Sequence, residues 1–552
     1  MRKKYVFISG GVISGIGKGV TVSSIAYLLQ QCGFRVAPIK FEGYLNLDAG
    51  TINPIEHGDP FLCEDGTEAD MDIGSYEKFL DRDMTKDNFV TMGQIYQTII
   101  AKERRFEYDG EDVEATHICD EIINRIKKVA LNQAANIVIV ELGGTAGEYW
   151  NVFFYEASRI LALKNPGDVI HIHVSYVPVP AHLGEPKTKP TQLSVRTLNS
   201  MGIQPDFIIA RSEKYIDMRR RNRFAIFCNM HGDDIISNPD VNNICEIPLI
   251  FHEQKLETKI LKKLGLAIRK VDISSWKKLI DLIHLKNKKT LTIAIAGKYF
   301  GTGDYQLRDS YAALFDALDH ASWHSRINIK TVWIEAEKIE KYGVNKYIKS
   351  IDGIIVPIGW GERGAEGMIT MAGFAREKKI PYLGLCYGMQ LAVVSFARDI
   401  LGWKDANTTE NDPTTKHPVI HLMPAQKEYM RRRAYGGTMR LGAWNAIVKK
   451  GTLAWKAYEK YNGFMNKETG LTSERHRHRY EFNNTYARHF EKKGLLIAAQ
   501  STVENLVEIV ELPKKEHPFY LGTQGHPEYK SRPLKPHPIF LEFIEACLKI
   551  KI

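Results

Sequence analysis

The sequence contains no CxxC pair, and its seven cysteines, at 32, 63, 119, 228, 245, 386 and 547, show no zinc-like spacing. That leaves no zinc-ribbon pattern, and the odd, scattered set fits a reducing cytoplasm best. No stretch of 18 apolar residues occurs, and the opening MRKKYVFISGG runs into a glycine loop without a long apolar segment, so neither a membrane span nor a signal peptide is expected. There is no single-sign charge block either. The net charge of +10 is spread through mixed runs such as Lys255 to Lys263. A nucleic-acid partner is therefore not expected, whereas phosphate-bearing small molecules would suit such a surface. Internal repeats and low-complexity segments are also missing.

What is present is an ordinary globular composition, 44% hydrophobic and 25% charged, in 552 residues, too many for one core. Tyr5 to Ser9 reads as a strand, followed by glycines and a helical pattern from Val22 to Gln31 that ends near Gly33. Arg35 to Lys40, Asn136 to Glu141, Val169 to Val174 and Asp206 to Ile209 read as further buried strands separated by helical stretches. The alternation predicts an α/β fold with a doubly wound, mostly parallel sheet whose ligands lie beyond the strands' carboxyl ends. After a lysine-rich stretch the grammar restarts at Leu291 to Ala296 and continues through Gly353 to Pro357, Tyr382 to Leu385 and Leu495 to Ala499. Two doubly wound domains are expected, residues 1–269 and 291–552, with a linker at 270–290 and a surface loop at Lys404 to Lys416.

Two constellations carry chemistry. Cys386 follows the strand-like Tyr382 to Leu385 and precedes a helical pattern, the arrangement of a nucleophile elbow, where the helix dipole favours a thiolate. A lone cysteine is more often a small buried hydrophobe, and His526-Pro527-Glu528 by itself is a polar turn. Together, 140 residues apart, they offer a thiol, a base and a group to orient the base. In the first half, the loop from Gly10 to Gly19 with Lys18 follows a strand and opens a helix, as phosphate cradles do, although its spacing is one residue longer than a strict P-loop and Gly19 replaces the usual Ser or Thr. Asp65, Glu68, Asp70 and Asp72 place four carboxylates within eight residues, which a cation or a solvated face must relieve. Asp72 and the strand-end Glu141 read as magnesium ligands.

The cysteine and histidine motifs resemble those of class I glutamine amidotransferases, which implies Cys386 as nucleophile, His526 as general base and Glu528 as its orienting partner. The resemblance places the oxyanion loop at Pro357 to Gly361, where Ile358 stands for a usual glycine; Gly525 likewise stands where an aromatic residue commonly precedes the histidine. Over nearly the whole chain the sequence resembles the CTP synthases, carried by the loop to Lys18, by Lys40, Tyr44 to Asp48, His57-Gly58, the acidic run, Glu141 to Gly147 and Gly184 to Gln192. Gly297 to Tyr299, Arg363 to Met368, Asn407 to Glu410 and Glu474 to Glu481 carry it in the second half.

This resemblance implies that ATP phosphorylates the 4-oxygen of UTP and that ammonia from glutamine displaces the phosphate. It implies ATP contacts at Ser14, Gly15, Ile16, Gly17, Lys18, Gly19, Lys40, Asp72, Arg211 and Asp240, and magnesium on Asp72 and Glu141. UTP or CTP contacts fall at Ser14, Lys187, Thr188, Lys189, Gln192, Arg223, Glu148 and Trp150, and glutamine contacts at Gly359, Tyr387, Gln390, Glu410 and Arg477. GTP activation, through the loop of Arg363, and a homotetramer built as a dimer of dimers are implied as well. The departures cluster near the base and ribose: Phe41-Glu42-Gly43-Tyr44, Ala49 to Pro54, Val113 to His117 and Gly147 to Asn151, where Trp150 stands for a glutamate. An altered nucleotide selectivity or altered inhibition by CTP is the expectation there. The alternatives are a paralogue that aminates a modified pyrimidine nucleotide or uses another amine, a regulatory or filament-forming homologue, and a free-standing glutaminase with a P-loop switch.

Overall fold

The computed structural model describes residues 2–53, 58–302, 305–306 and 308–550. They form two units, one of residues 1–48 and 72–280, the other of residues 49–71 and 281–552.

The first unit is built on seven parallel strands: β1 (Lys4–Gly11), β2 (Val36–Glu42), β3 (Phe89–Thr91), β4 (Ile137–Leu142), β5 (Val169–Tyr176), β6 (Phe207–Ser212) and β7 (Ile235–Pro239). Their order is β3-β2-β4-β1-β5-β6-β7. β4, with the sequence IVIVEL, is buried at every position, as a strand covered by helices on both faces must be. The order reverses beside β1, so the loop from β1 into the helix Lys18–Gln31 opens at a switch point, where such sheets bind ligands. The stretch 270–290 holds a helix, Ser274–Ile283. Trp276 on its apolar face is fully buried, donates to the Cys245 carbonyl at 2.7 Å and packs on Tyr27 and Phe79 at 4.5 and 5.0 Å between ring centroids.

The main sheet of the second unit has nine strands: β8 (Thr290–Gly297), β9 (Asn328–Glu335), β10 (Gly353–Val356), β11 (Tyr382–Leu385), β12 (Arg440–Val448), β13 (Leu471–His478), β14 (Leu496–Ser501), β15 (Val507–Glu511) and β16 (Tyr520–Thr523). The order is β9-β8-β10-β11-β16-β15-β14-β12-β13, parallel from β9 to β16 and antiparallel beyond it. The parallel part is the doubly wound fold expected from the sequence, and the antiparallel extension is an addition to it. Asn407–Thr408, inside the stretch expected as a surface loop, forms a short strand. No helix among the described residues is long and apolar enough to cross a membrane.

Candidate active sites

In the second unit the parallel strands β11 and β16 lie side by side and end at Cys386 and Gln524 respectively. Cys386 has φ 51° and ψ −100°, an uncommon backbone for a residue with a side chain, and its N–H is held by the Thr523 carbonyl at 2.7 Å. The sharp turn puts the thiol at the start of the helix Tyr387–Asp399. Gly388 is required for this packing, since a Cβ there would lie 1.9 Å from the Val356 carbonyl. The Gln524 amide donates toward Cys386 Sγ at 3.5 Å.

His526 is fully buried and its Nδ1 meets Glu528 Oε1 at 2.8 Å. Nε2 has no hydrogen-bond partner, and Cys386 lies close enough to act on the ring. Burial opposes the charged imidazole, but the Glu528 carboxylate and Cys386 outweigh it and raise His526 to about 10. Glu528 and Cys386 thus both favour the protonated form of the ring. The His526 N–H is fixed by the Arg475 carbonyl at 2.8 Å, and Gly525 is explained by the same closeness: a Cβ there would sit 2.7 Å from Glu474 Cβ.

The loop Pro357 to Gly361 is held from several sides. Lys298 Nζ donates to the carbonyls of Trp360 and Gly361, the latter at 2.5 Å, the Tyr387 hydroxyl donates to Gly361 O at 2.8 Å, and Glu410 accepts from Gly361 N at 2.7 Å. Burial lowers Lys298 to about 8 and pushes the Glu410 carboxyl up. Gly359 must lack a side chain, since a Cβ would meet Lys298 Cδ at 2.6 Å. Ile358 turns its side chain into the buried core. The sequence alone assigns no role to Lys298 or Gln524. Gln390 reaches the Tyr480 carbonyl at 2.8 Å and Gln524 at 3.2 Å, while Arg477 and Glu410 both line a cavity of about 670 Å³. Arg363 donates to the Lys298 carbonyl at 2.8 Å and pairs with Glu337 at 3.0 Å.

In the first unit Gly15 and Gly17 adopt φ 69° and 88°, and Val12, directly after β1, takes φ 80°, a strained value for a β-branched residue. Ile16 is buried and Ser14 exposed. Gly19 has a physical reason: a Cβ would lie 2.0 Å from Asp72 Oδ1. Lys18 Nζ donates to the Gly144 carbonyl at 2.7 Å. Lys40 pairs closely with Asp72, and lies 3.0 Å from Glu42 and 3.9 Å from Glu141. Burial and the charge of Asp72 push Glu141 up to about 7, its Oε2 takes the Tyr76 hydroxyl and its Oε1 has no hydrogen-bond partner. A buried, unsatisfied carboxylate oxygen beside a second carboxylate fits a hard cation that keeps phosphate and water as its other ligands.

Around this centre, Glu148 accepts from Thr145 N and Oγ1 at 2.8 and 2.6 Å, and Trp150 is 65% exposed. Both line a cavity of about 340 Å³ with Glu42, Tyr44, Leu45 and Gly144. Lys187 pairs with Glu185 at 2.5 Å, Thr188 accepts from Gln192 at 3.0 Å, and Lys189 and Arg223 are exposed. Arg220, which nothing in the sequence singles out, holds that loop through Glu185 at 2.7 Å and the Pro186 carbonyl at 3.2 Å. Arg211 pairs with Asp240 at 2.6 Å. Pro54 and His57 lie outside the described residues.

Sequence models of two families match the chain: the CTP synthase N-terminus over residues 4–266 and the class-I glutamine amidotransferases over residues 306–546. The CTP synthase of Caldanaerobacter subterraneus subsp. tengcongensis is 45% identical over 552 residues, covering 100% of this chain and 99% of that protein. The CTP synthase of Pyrococcus abyssi is 45% identical over 551 residues, covering 99% and 98%. That of Carboxydothermus hydrogenoformans is 44% identical over 551 residues, covering 99% of each.

Proposed function

The chain belongs to the CTP synthase family, and we propose that it makes CTP by aminating UTP at the 4-position, driven by ATP and supplied with ammonia from glutamine. The observation that carries this reading is a Cys386–His526–Glu528 arrangement in the same chain as a glycine loop ending at Lys18, whose ammonium meets the Gly144 carbonyl, and a strand that sets Lys40 beside Asp72 and Glu141. The synthetase part is assigned to residues 1–269 and the glutaminase part to 291–552, joined by 270–290.

In the glutaminase, His526 keeps the proton of Cys386, and the sulfur attacks the side-chain amide carbon of glutamine. The N–H groups of Gly359 and Tyr387 stabilise the oxyanion that forms. His526 then gives its proton to the departing nitrogen, and water, activated by the same ring, hydrolyses the thioester. Glu528 holds the ring throughout. Arg477 binds the α-carboxylate of glutamine, and Glu410 its ammonium, with Gln390 shaping the pocket.

In the synthetase, a carbonyl oxygen is a poor leaving group and phosphorylation makes it a good one. Lys18 and Lys40 stabilise the charge on the transferring γ-phosphoryl group as the UTP 4-oxygen attacks it. Ammonia then adds to C4 and phosphate departs, giving CTP, ADP and phosphate. Magnesium, when bound by Asp72 and Glu141, would neutralise the phosphate oxygens. Arg211 and Asp240 lie on the ATP side, while Lys187, Lys189, Gln192 and Arg223 take the UTP triphosphate. GTP as an activator, a homotetramer and a cytoplasmic location complete the reading.

Product analysis by mass spectrometry with ATP, magnesium and a panel of nucleoside triphosphates tests it. Cys386→Ala should lose CTP formation from glutamine and keep it from ammonium. Loss of both, or of neither, would contradict the division of labour.

A further inference from the structure

Arg477 is 4% exposed, and its guanidinium meets Gly50, Asp59 and Glu68 and lies over the Trp360 ring at 5.2 Å. Nε donates to Glu68 Oε1 at 2.6 Å, one terminal nitrogen donates to the Gly50 carbonyl at 3.2 Å, and the other lies 3.5 Å from Asp59 Oδ1. Gly50 allows this approach, because a Cβ there would be 2.1 Å from Glu68 Oε2. A guanidinium carries five N–H donors in a rigid fork. Three are committed to this segment, which leaves two at the wall of the 670 Å³ cavity that Arg477 shares with Trp360 and Glu410. The segment is itself pinned to the strand and helix that hold the catalytic groups. Arg475 donates to Glu64 at 2.9 Å and to the Leu62 carbonyl at 2.8 Å, and the Tyr529 hydroxyl donates to Asp59 Oδ2 at 2.9 Å while its ring stacks on His526 at 5.2 Å.

Residues 49–71 fall within the match to the CTP synthase N-terminus, yet they group with the glutaminase strands. We infer that Glu68 and Asp59 are positioning residues of the glutaminase: they fix the Arg477 fork so that its two remaining donors meet the α-carboxylate of glutamine side by side. The inference rests on the proposed role of Arg477 and adds the device that aims it. Without the clamp the long side chain would have to be ordered by the substrate itself, and that ordering cost appears in glutamine binding rather than in the chemistry after binding.

The test is steady-state kinetics on the full chain, with Glu68→Gln, Asp59→Asn and Arg477→Lys assayed against glutamine and, separately, against ammonium. Turnover with ammonium bypasses the glutaminase and reports whether the fold stands. Glu68→Gln should raise the KM for glutamine by about tenfold or more with kcat changed by less than about threefold, and Asp59→Asn should raise it less, in keeping with its longer contact. Restoring the charge as Glu68→Asp should recover part of the loss, which a purely structural role would not give. An unchanged KM in both folded carboxamide variants, with a raised KM in Arg477→Lys, would overturn the clamp alone. An unchanged KM in Arg477→Lys would overturn the role of Arg477 and the clamp with it. Should Glu68→Gln fail to fold, Asp59→Asn and Tyr529→Phe decide the question by the same KM criterion.

Discussion

The two sites of this chain are prepared for their chemistry in opposite ways. Around Cys386 the groups are fixed in place: Cys386 itself has a strained backbone, His526 is buried against Glu528 at 2.8 Å, Lys298 and Tyr387 donate hydrogen bonds to the neighbouring loop and Glu410 accepts one from it. Around Lys40 one ammonium is shared among Asp72, Glu42 and Glu141, and Glu141 Oε1 is left without a hydrogen-bond partner. Attack by sulfur on an amide demands fixed geometry of a few atoms. Phosphoryl transfer demands a balance of charge in which polyphosphate and cation take part.

The largest effect should come from breaking that shared pairing. Lys40→Met removes the ammonium that pairs with three carboxylates, two of them largely buried, and should abolish CTP formation with glutamine and ammonium alike. It should also lower stability by about 3 kcal/mol at neutral pH, because buried charge is left without its partner. Activity assays beside chemical denaturation check both parts, and full ammonium-driven turnover would refute the assignment.

Next in size is Glu528→Gln. It removes the carboxylate that supports the imidazolium, so glutamine-driven turnover should fall about a hundredfold while turnover with ammonium persists. The same substitution should bring the His526 titration, followed by NMR, well below its native value of about 10. The sign of the stability effect follows. A histidine raised in the folded state contributes stability that is complete below pH 6.5 and disappears as pH climbs through about 10, so the gap in stability between wild type and Glu528→Gln should close over that window.

A smaller effect separates the ligand-completed site from the preassembled one. Glu141 is pushed up to about 7, so the folded site holds a proton between pH 4.5 and 7 that the unfolded chain releases; a divalent cation must displace it. Magnesium should therefore raise the melting temperature more at pH 8 than at pH 6, and Glu141→Gln should erase the difference. The smallest expected change is at the cavity beside this centre. Trp150→Glu should alter UTP preference or CTP inhibition several-fold while leaving glutamine hydrolysis alone; identical values would show that the exposed indole has no part in nucleotide choice.

The parallel strands are legible in the sequence because both their faces are buried and their apolar runs are continuous, as in Ile137–Leu142. Cys386 and His526 are legible because the elbow and the His-Pro-Glu turn are local. β13 carries a motif but does not announce itself as a strand, since SERHRHR reads as a polar surface. Its burial depends on carboxylates far away in sequence: Glu64 and Glu68 take Arg475 and Arg477, and Glu508 lies 3.4 Å from His476 Nε2. The stretch 270–290 reads as a linker because its lysines dominate the composition, whereas one buried tryptophan ties its helix to the first unit. Asp59 and Lys298 escape for the same reason, as their partners are set by packing and not by spacing.

The most direct test follows the nitrogen. Wild-type protein given ATP, magnesium, UTP and glutamine labelled with 15N at the side-chain amide should yield CTP carrying the label on its 4-amino group, with one ADP and one glutamate per CTP. CTP without label, or no consumption of ATP when any pyrimidine triphosphate is offered with ammonium, would contradict the joining of the two chemistries in this chain.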